Sequence, residues 1–508
     1  MKEIEVQGEG ATLASVWMVA HENVRLKLSD SARAKMKKSR DFIETRMKGD
    51  EPIYGVNTGF GAFSSVRISN DEIEKLQQNL IRSHSTGVGT SFTKEQARAI
   101  MYLRANALAT GHSGIRPDVV DKILEFMNND LIPVIPSQGS VGASGDLAPL
   151  SHLALALIGE GEVFGASDLT AVLIEKKVSP LKLQAKEGLS LINGCQVMTA
   201  IGMLAAFEAK RLLWLTDLTG AISLEALRGS RSAFDPEIAA TRPHPGEGKT
   251  ARNLMKLLGA SSEISESHLD CNRVQDAYSL RCMPAVHGAA KDALRFVIEK
   301  LEVEANSSTD NPLVFAESEK ILSCGNFHGE PVAFALDFAA IAMSALASIC
   351  ECRIEKLINP SMSGLPAFLA PNGGLNSGHM IVQVAAAALV SENKILSHPA
   401  SVDSIPTSAD KEDHVSMGTI AARKFKQILD NVSNIVAMEF LSGTQALDML
   451  MPLKPASAVA AAHKKIREVV PFALEDRVFA HDIAAIRKLI SSGELSKVIE
   501  TSVGPLEA

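Results

Sequence analysis

The sequence predicts a mainly α-helical protein, and three features of the chain lead to that prediction. Alanine and leucine recur at three- and four-residue spacing over long stretches, which is typical of helices. Alternating runs of valine, isoleucine and threonine are scarce, so strands should be few, short and near the amino-terminal half. Several helical stretches are apolar nearly all round, which indicates burial inside a bundle or a subunit interface.

The helical pattern is strongest in stretches that are rich in alanine and poor in β-branched residues, which lose little rotamer entropy in a helix. They cover residues 94–111, 146–161, 331–357, 380–396 and 417–450. Polar segments with glycine, asparagine or serine break the helices. They are residues 54–61, 137–146, 192–196, 306–312 and 364–378. We expect a domain boundary near residue 200, where long helices take over.

Composition excludes several functional classes. The chain has 508 residues, and its 51 Lys and Arg against 59 Asp and Glu leave a net charge of −8 with neutral histidines. This mildly acidic balance offers no basic surface for a phosphate backbone, so we expect no nucleic-acid partner. A hydrophobic content of 46% with 22% charged residues indicates a globular protein and excludes a disordered or fibrous one.

The cysteines and the termini indicate a cytoplasmic protein. The six cysteines match neither a disulfide framework nor a zinc site: Cys195, Cys271, Cys282, Cys324, Cys350 and Cys352. Residues 1–5 contain no apolar signal core. Residues 188–207 carry no charge, but polar side chains such as Asn193 and Gln196 interrupt them, so a buried core helix is predicted in place of a membrane span.

Three common site types can be excluded by their spacing. A nucleophile elbow needs Gly-x-Ser-x-Gly, and in residues 142–146 the second glycine comes one place early. A phosphate loop needs a lysine beside its glycines, and none lies near residues 139–145. His84, His414 and His481 have no His-x-x-x-His partner, so the sequence predicts no metal site.

The triplet Ala143-Ser144-Gly145 has a different chemical capacity. The amide nitrogen of Gly145 can attack the carbonyl carbon of Ala143, and loss of water then closes a ring. Loss of the Ser144 hydroxyl as a second water leaves an exocyclic methylidene. Glycine and alanine permit the compressed backbone that this needs, and serine supplies the leaving hydroxyl. A helix that begins after Asp146 would favour negative charge beside the ring.

Residues 139–151, Gly-Ser-Val-Gly-Ala-Ser-Gly-Asp-Leu-Ala-Pro-Leu-Ser, resemble the signature of the aromatic amino acid ammonia-lyases. That family makes 4-methylidene-imidazol-5-one (MIO) from Ala-Ser-Gly. Other blocks resemble the family in the same order: Tyr54-Gly-Val-Asn-Thr-Gly-Phe-Gly61, Asn193-Gly-Cys-Gln196, Gln275-Asp-Ala-Tyr-Ser-Leu-Arg281, residues 306–312 and Gly325-Asn-Phe-His328. The chain is most similar to the histidine-specific members, which implies conversion of L-histidine to trans-urocanate and ammonia.

The resemblance also implies an architecture. It is a long-helix bundle of the fumarase/aspartase type with a smaller mixed amino-terminal domain. Residues 1–200 would form that domain and carry the MIO loop, and residues 201–508 would form the central bundle and the carboxy-terminal helices. The MIO group would form from Ala143-Ser144-Gly145, with no diffusible cofactor. The protein would be a homotetramer with active sites shared between subunits, and its partner would be a small amino acid.

The family's site residues have matches in this chain. Tyr54 matches the base that removes the β-proton. A free phenol has a pKa of about 10, so the pKa of this side chain would have to be lowered by a nearby cation or donor network. Arg281 matches the residue that grips the substrate carboxylate, a task suited to the guanidinium fork. Asn193 and Gln275 match amides that hold the ring and the carboxylate. The catalytic Tyr278 and the substrate-binding Phe327 match residues that line the ring.

Substrate choice is expected to depend on His84 and Glu412. Histidine enzymes carry a histidine at the first position, and a glutamate at the second where tyrosine and phenylalanine enzymes have glutamine. A carboxylate accepts an imidazole N–H, whereas a phenyl ring offers it nothing. Glu412 is also a candidate second base. Asp410-Lys411 stands where the family usually has Asn-Gln, and a lysine there could pair with Glu412; Ala277 replaces a proline common in histidine enzymes.

Two alternatives remain beside the histidine reaction. The first is a tyrosine or phenylalanine ammonia-lyase, or an MIO-dependent aminomutase that adds the amine back. The second is a helical scaffold without catalysis, which the intact triplet together with Tyr54 and Arg281 argues against, because a scaffold has no use for that set.

Overall fold

Helices make up most of the structure, and the mainly α-helical class predicted from the sequence is confirmed. A computed structural model describes residues 2–49, 52–59, 61–63, 66–69, 72–271 and 273–508. The α-helices are α1 (Leu13–His21), α2 (Asp30–Met47), α3 (Ile73–His84), α4 (Lys94–Ala109), α5 (Pro117–Asn128), α6 (Leu147–Leu157), α7 (Leu169–Lys176), α8 (Glu187–Ile192), α9 (Gln196–Ala226), α10 (Pro236–Thr241), α11 (Pro245–Leu258), α12 (Glu263–Glu266), α13 (Tyr278–Arg281), α14 (Met283–Ala305), α15 (Glu330–Ile358), α16 (Pro360–Ser363), α17 (Met380–Leu396), α18 (Gly418–Asp448), α19 (Ser457–Arg467), α20 (Phe479–Ser492) and α21 (Glu494–Val503). The strands are β1 (Glu3–Val6), β2 (Arg25–Leu28), β3 (Val88–Ser91), β4 (Pro136–Gln138), β5 (Leu313–Phe315) and β6 (Lys320–Leu322).

The five stretches predicted as helices coincide with α4, α6, α15, α17 and α18. The ends of α17 agree with the prediction, and those of the other four differ from it by at most four residues. Local signals explain the starts. Thr93 and Gln96 form a capping box at α4, in which each side chain accepts a hydrogen bond from the other residue's backbone N–H. Pro149 lies in the first turn of α6, where a missing N–H costs nothing.

The described residues pack into two compact units, each built from three segments of the chain. The first unit comprises Met1–Phe207, Val297–Asp337 and Pro399–Lys426, and the second comprises Glu208–Phe296, Phe338–His398 and Gln427–Ala508. Helices α9, α14, α15 and α18 contribute residues to both units. The boundary near residue 200, which would divide residues 1–200 from 201–508, stays a prediction about where the chain separates into domains.

Every described strand lies in the first unit, which is therefore the mixed α and β part. β1 and β2 pair in parallel, while β3 pairs with β4 and β5 with β6 in antiparallel ladders. Pairing with β3 holds β4 directly before the glycine-rich segment that contains Ser144. The expectation that strands lie near the amino-terminal half is wrong for β5 and β6, because a hairpin with three residues a strand is too short to produce a visible alternation.

Within the second unit, α9, α14, α15 and α18 form a bundle of long helices. Each of these helices contributes one side chain to a buried polar network. The Asp217 carboxylate accepts from His287 Nδ1 at 2.8 Å, and Arg353 pairs with Glu439 at 2.5 Å. Arg353 also donates to the other ring nitrogen of His287 at 3.2 Å. All four side chains are fully buried, and each charge has a partner, which is the condition under which such a network is tolerated.

Two stretches are long and apolar enough to cross a membrane by length and composition alone, Glu187–Ala226 and Glu330–Ile358. The apolar window of the first is 100% buried within the protein and that of the second is 61% buried. Core helices pass the same test of length and composition. The first stretch contains residues 188–207, which the sequence analysis interpreted as a core helix.

Candidate active site

The predicted cyclising triplet lies in the loop between β4 and α6, in the first unit. Gly142 and Gly145, on either side of the Ala143–Ser144 pair, have φ values of +68° and +75°, a left-handed region that favours glycine. A Cβ at Gly145 would overlap the backbone of Gly194. Glycine therefore lets this loop touch the loop that carries Asn193.

Ser144 makes the two contacts that define the site. Its hydroxyl donates to Glu412 Oε1 at 2.6 Å, and its carbonyl oxygen accepts from Asn193 Nδ2 at 2.7 Å. The Asn193 Oδ1 atom is buried and has no hydrogen-bond partner, so an acceptor is left over for another donor. The structure thus brings three predicted residues together from segments far apart in the chain.

Asp146, which follows the triplet, is a residue whose importance the sequence analysis missed. It was read only as the start of α6, yet its carboxylate lies at the start of α9, where it accepts from the backbone N–H groups of Val197 and Met198 at 3.0 and 2.9 Å. The hydroxyls of Ser140 and Thr419 also donate to it. Burial raises the pKa of Asp146, while these four hydrogen bonds lower it. The carboxylate ties the triplet loop to a helix amino terminus, where negative charge is favourable.

Glu412 is held by a tight turn of the segment that leads into α18. Thr407 and Glu412 pair through their backbones, and the Thr407 hydroxyl donates to Glu412 Oε2 at 2.8 Å. Ser408, Ala409 and Asp410 between them all have φ values of +54° to +60°, a strained conformation for residues other than glycine. The turn fixes the carboxylate against Ser144, and its strain is typical of functional segments.

The sequence analysis raised the possibility of an ion pair between Lys411 and Glu412, and this pair does not form among the described residues. Both oxygens of Glu412 are engaged by hydroxyls, and its carboxylate forms no ion pair with Lys411, which is exposed. Inside the turn, the backbone N–H of Lys411 donates to the carbonyl oxygen of Ser408. Farther along, Ser416 and Met417 bond to the carbonyls of Gly142 and Val141 and fasten the segment to the triplet loop.

Tyr54 lies half-buried in the turn 54–57, within the same unit as Ser144; Phe60 of its sequence block lies outside the described residues. Burial raises the pKa of Tyr54, and the negative charge of Glu412 raises it further, while a hydrogen bond with the Gly61 backbone lowers it. The expectation that neighbours lower this pKa is therefore wrong for the described residues. The causes are physical: burial penalises the charged phenolate most, and the nearby charge is a carboxylate instead of a cation.

His84 is the last residue of α3, and its half-buried ring interacts electrostatically with Glu412. Burial lowers the pKa of His84, while a hydrogen bond with the Leu80 backbone and the charge of Glu412 raise it. Its Nδ1 atom lies 3.0 Å from the Ser83 hydroxyl. Glu412 therefore interacts electrostatically with both His84 and Tyr54, and it contacts Ser144 directly.

The loop between α8 and α9 supplies Asn193 and is anchored by two further contacts. Cys195 Sγ donates to the carbonyl of Phe327 at 3.0 Å, which connects this loop to the half-buried Phe327. Arg104, fully buried on α4, donates to the carbonyl oxygens of Ser190 and Asn193. Arg104 is a second residue that the sequence analysis missed, and an arginine inside an alanine-rich, largely apolar stretch of helix is the signal that could have found it.

Gln275, Tyr278 and Arg281 belong to the second unit and are described there by themselves. The Arg281 guanidinium carbon lies 4.5 Å above the ring of Tyr278, a cation–π contact, and Tyr278 is 71% exposed. Arg281 Nε is buried without a hydrogen-bond partner, although it is a charged donor. Gln275 and Arg281 line a cavity of about 510 Å³, and its lining also includes Arg228, Arg231 and Arg273 together with the carboxylates of Glu225, Glu266 and Asp276.

The residues around the triplet suit an MIO group. The serine hydroxyl that would leave faces an acceptor, the carbonyl that the ring would retain already has a donor, and glycines allow the close approach of Gly194. A carbonyl oxygen on such a ring gains negative charge, which the amide of Asn193 can stabilise.

Comparison with known proteins identifies the family. The model of the aromatic amino acid lyase family matches residues 11–468. The chain is 50% identical over 502 residues to a histidine ammonia-lyase of Stigmatella aurantiaca, covering 98% of each chain, and 49% identical to one of Myxococcus xanthus, covering 98% of this chain and 99% of that one.

Solved structures agree with this assignment. Histidine ammonia-lyase from Trypanosoma cruzi superposes with a TM-score of 0.91 at 43% identity, covering 99% of this chain and 96% of that one. Tyrosine aminomutase from Streptomyces globisporus superposes with a TM-score of 0.94 at 38% identity, covering 99% of this chain and 100% of that one. The match of the family model to most of the chain, together with relatives similar over nearly their whole length, shows that the chain belongs to the aromatic amino acid lyase family.

Proposed function

We propose that this protein is a histidine ammonia-lyase, a carbon–nitrogen lyase that converts L-histidine to trans-urocanate and ammonia without oxidation. The observation that carries the proposal is the contact of Glu412 with Ser144 of the triplet. It places a carboxylate, which an imidazole N–H can bind, at the group expected to react. The relatives at 49–50% identity that are named histidine ammonia-lyases support this substrate.

The proposed reactive group is 4-methylidene-imidazol-5-one, formed from Ala143, Ser144 and Gly145 without a diffusible cofactor. When formed, it supplies an electrophile that takes up electrons from the substrate, which makes departure of the amine feasible. The residues of this chain then have separate tasks. Asn193 donates to the Ser144 carbonyl oxygen, and its free Oδ1 atom is available to a donor on the substrate.

Tyr54 is proposed as the base that takes the β-proton. The Tyr54 hydroxyl must lose its own proton before it can act as a base. Because its pKa is raised, only a small fraction of the side chain is deprotonated at neutral pH. Glu412 lies close enough to Tyr54 and to His84 for its charge to act on both. Glu412 would accept the imidazole N–H and His84 would hold the same ring, while Phe327, whose carbonyl oxygen accepts from Cys195 Sγ, would line it from the segment before α15.

Arg281, Gln275 and Tyr278 are proposed to bind the substrate carboxylate and line its ring. Arg281 supports this role through its unpartnered Nε atom and the cavity that it lines with Gln275. A guanidinium binds a carboxylate through two parallel hydrogen bonds. Tyr278 packs under the same guanidinium and would limit its orientations.

The second candidate is an aminomutase that uses the same group and returns the amine to the neighbouring carbon. The similarity to tyrosine aminomutase, with a TM-score of 0.94, favours it, as does Ala277 in place of the proline expected in histidine enzymes. Glu412 favours the histidine reaction over an aminomutase that acts on phenylalanine, because an imidazole N–H can donate to the carboxylate and a phenyl ring cannot.

We also propose a homotetramer in the cytoplasm, with active sites shared between subunits. Exposed apolar side chains on α17 support an assembly, since Ile381 is 62% and Ile395 is 75% exposed. All six cysteines are free, as expected in a reducing compartment.

The direct test supplies L-histidine, L-tyrosine and L-phenylalanine separately to the purified protein and identifies each product. We expect urocanate to form with the highest kcat/KM. Faster formation of coumarate or cinnamate would overturn the histidine assignment, and a β-amino acid product would establish the aminomutase.

A further inference from the structure

A cluster of metal-binding side chains lies beside the candidate active site and takes no part in the proposed reaction. It consists of His328, Glu330 and His414, whose potential ligand atoms all lie within 4.8 Å of one another. His414 Nε2 is 3.8 Å from Glu330 Oε2, and His328 Nδ1 is 4.0 Å from the same oxygen. All three residues belong to the first unit.

Glu330 has an unsatisfied atom that faces both imidazoles. Its Oε2 atom is buried and has no hydrogen-bond partner, although it lies between the two histidines. A buried carboxylate oxygen without a donor is unfavourable, and native structures rarely leave one so. A cation between these side chains would satisfy it.

The hydrogen bonds of His328 prepare it as a ligand. Its Nε2 atom lies 3.2 Å from the carbonyl oxygen of His414, which fits an N–H donor and leaves the lone pair on Nδ1. Histidines that bind metals usually donate their other ring N–H in this way, which fixes the tautomer and the ring orientation. To bind an ion, Nδ1 would lose only one long hydrogen bond of 3.3 Å, which it accepts from the Glu330 backbone N–H.

We propose that His328 Nδ1, Glu330 Oε2 and His414 Nε2 bind one divalent transition-metal ion. Two imidazoles and one carboxylate suit zinc, with a water in the fourth position, and do not suit magnesium or calcium, which prefer oxygen ligands. Ligands at about 2.1 Å from one ion lie at most about 4.2 Å apart, so the cluster must contract slightly. His414, with a side chain that is 68% exposed, is free to turn inward.

The ion would join two segments of the first unit that hold candidate site residues. Glu330 begins α15 and His328 follows Phe327, while His414 is two residues beyond Glu412. A single ion would therefore crosslink the Glu412 segment to the start of α15. The site goes beyond the proposed lyase reaction, and metal binding can be measured whether or not that reaction occurs.

The test is a calorimetric titration of the chelator-treated full-length protein with zinc chloride. We expect one ion per chain for the wild type, binding at least about tenfold weaker for His414→Ala, and unchanged binding for His481→Ala, an exposed histidine outside the cluster. Wild-type protein that takes up no ion, or His414→Ala binding as tightly as wild type, would overturn the proposal.

Two measurements on the wild type make the result independent of how the variants fold. Because the six cysteines are free, cobalt(II) is added in place of zinc, and its spectrum should lack the near-ultraviolet band of thiolate ligands. Crystals soaked in zinc chloride should show an anomalous peak between His328, Glu330 and His414. A thiolate band, or a peak only elsewhere, would contradict the site.

Discussion

At the scale of single residues, the assignment of L-histidine as the substrate depends on Glu412. Its two oxygens accept from the hydroxyls of Ser144 and Thr407 at 2.6 and 2.8 Å, so its position is fixed before any substrate arrives. Once the Ser144 hydroxyl has been lost in forming the ring, one oxygen of this carboxylate is free to accept a substrate N–H. The charge of that carboxylate, and not its shape alone, should then favour imidazole over phenyl rings.

Replacing Glu412 by glutamine tests this point, because the amide keeps the shape and removes the charge. We expect kcat/KM for L-histidine to fall about 10- to 100-fold, the value of one hydrogen bond to a charged group. The preference for histidine over phenylalanine should fall with it. Asp413→Asn, at the exposed neighbouring carboxylate, is the matched control and should keep wild-type values. Equal losses in both variants would contradict the role of Glu412.

The raised pKa of Tyr54 predicts how activity depends on pH. A phenol whose pKa lies above its usual value is almost entirely protonated at neutral pH, so the active phenolate fraction grows as pH rises. We expect kcat/KM for L-histidine to increase between about pH 7 and pH 9. Tyr54→Phe should lose activity by at least about 100-fold, whereas Tyr102→Phe, at a buried tyrosine outside the candidate site, should not. A flat profile, or an active Tyr54→Phe variant, would exclude Tyr54 as the base.

At the scale of secondary-structure elements, the site is assembled from helix ends and the loops that join them. The triplet precedes α6, Asn193 precedes α9, His84 ends α3 and Glu412 precedes α18. Asp146 connects two of these elements, since it follows the triplet and accepts from the first N–H groups of α9. Helix ends carry unpaired backbone groups, so a buried carboxylate at one of them supports both stability and position.

Asp146→Asn should destabilise the protein by about 2 kcal/mol, because an amide NH₂ would face backbone and hydroxyl donors that now meet a carboxylate. The matched control is Asp168→Asn at the exposed start of α7, where asparagine caps a helix equally well and the loss should stay below about 0.5 kcal/mol. Urea unfolding measures both. Equal stability of the two variants would contradict the role given to Asp146.

The sequence was a good guide to elements and a weaker one to the links between them. Helical periodicity located α4, α6, α15, α17 and α18, since the apolar pattern repeats over several turns. The periodicity could not show that the Asp146 side chain would cap α9 in place of α6. That choice depends on contacts between residues about fifty positions apart in the chain. The family resemblance gave Ser144, Asn193 and Glu412, but no local pattern shows that their side chains touch.

At the scale of the whole molecule, the structure of a single chain does not explain why the exposed surface of α17 is apolar. Among its residues only Val382, Ala386 and Asn393 are buried, although the helix is rich in alanine, valine and isoleucine. An apolar helix surface of this kind is typical of a subunit interface. It supports the homotetramer proposed above.

Light scattering of the wild type should give the mass of a tetramer. Val384→Asp on α17, where the valine is 50% exposed, should shift the particle to smaller species because it introduces a charge into the interface. Ile174→Asp on α7, where the isoleucine is 74% exposed, is the control and should leave the tetramer intact. A wild-type monomer would contradict the assembly and the sharing of active sites.

The mass of the intact, untreated polypeptide tests the chemistry of Ala143, Ser144 and Gly145 most directly. We predict that the wild-type chain weighs less than its sequence by two water molecules, and that Ser144→Ala, which has no hydroxyl to lose from this residue, lacks that deficit. A wild-type chain with the full weight of its 508 residues would show that the ring does not form, and the proposed lyase reaction would lose its electrophile.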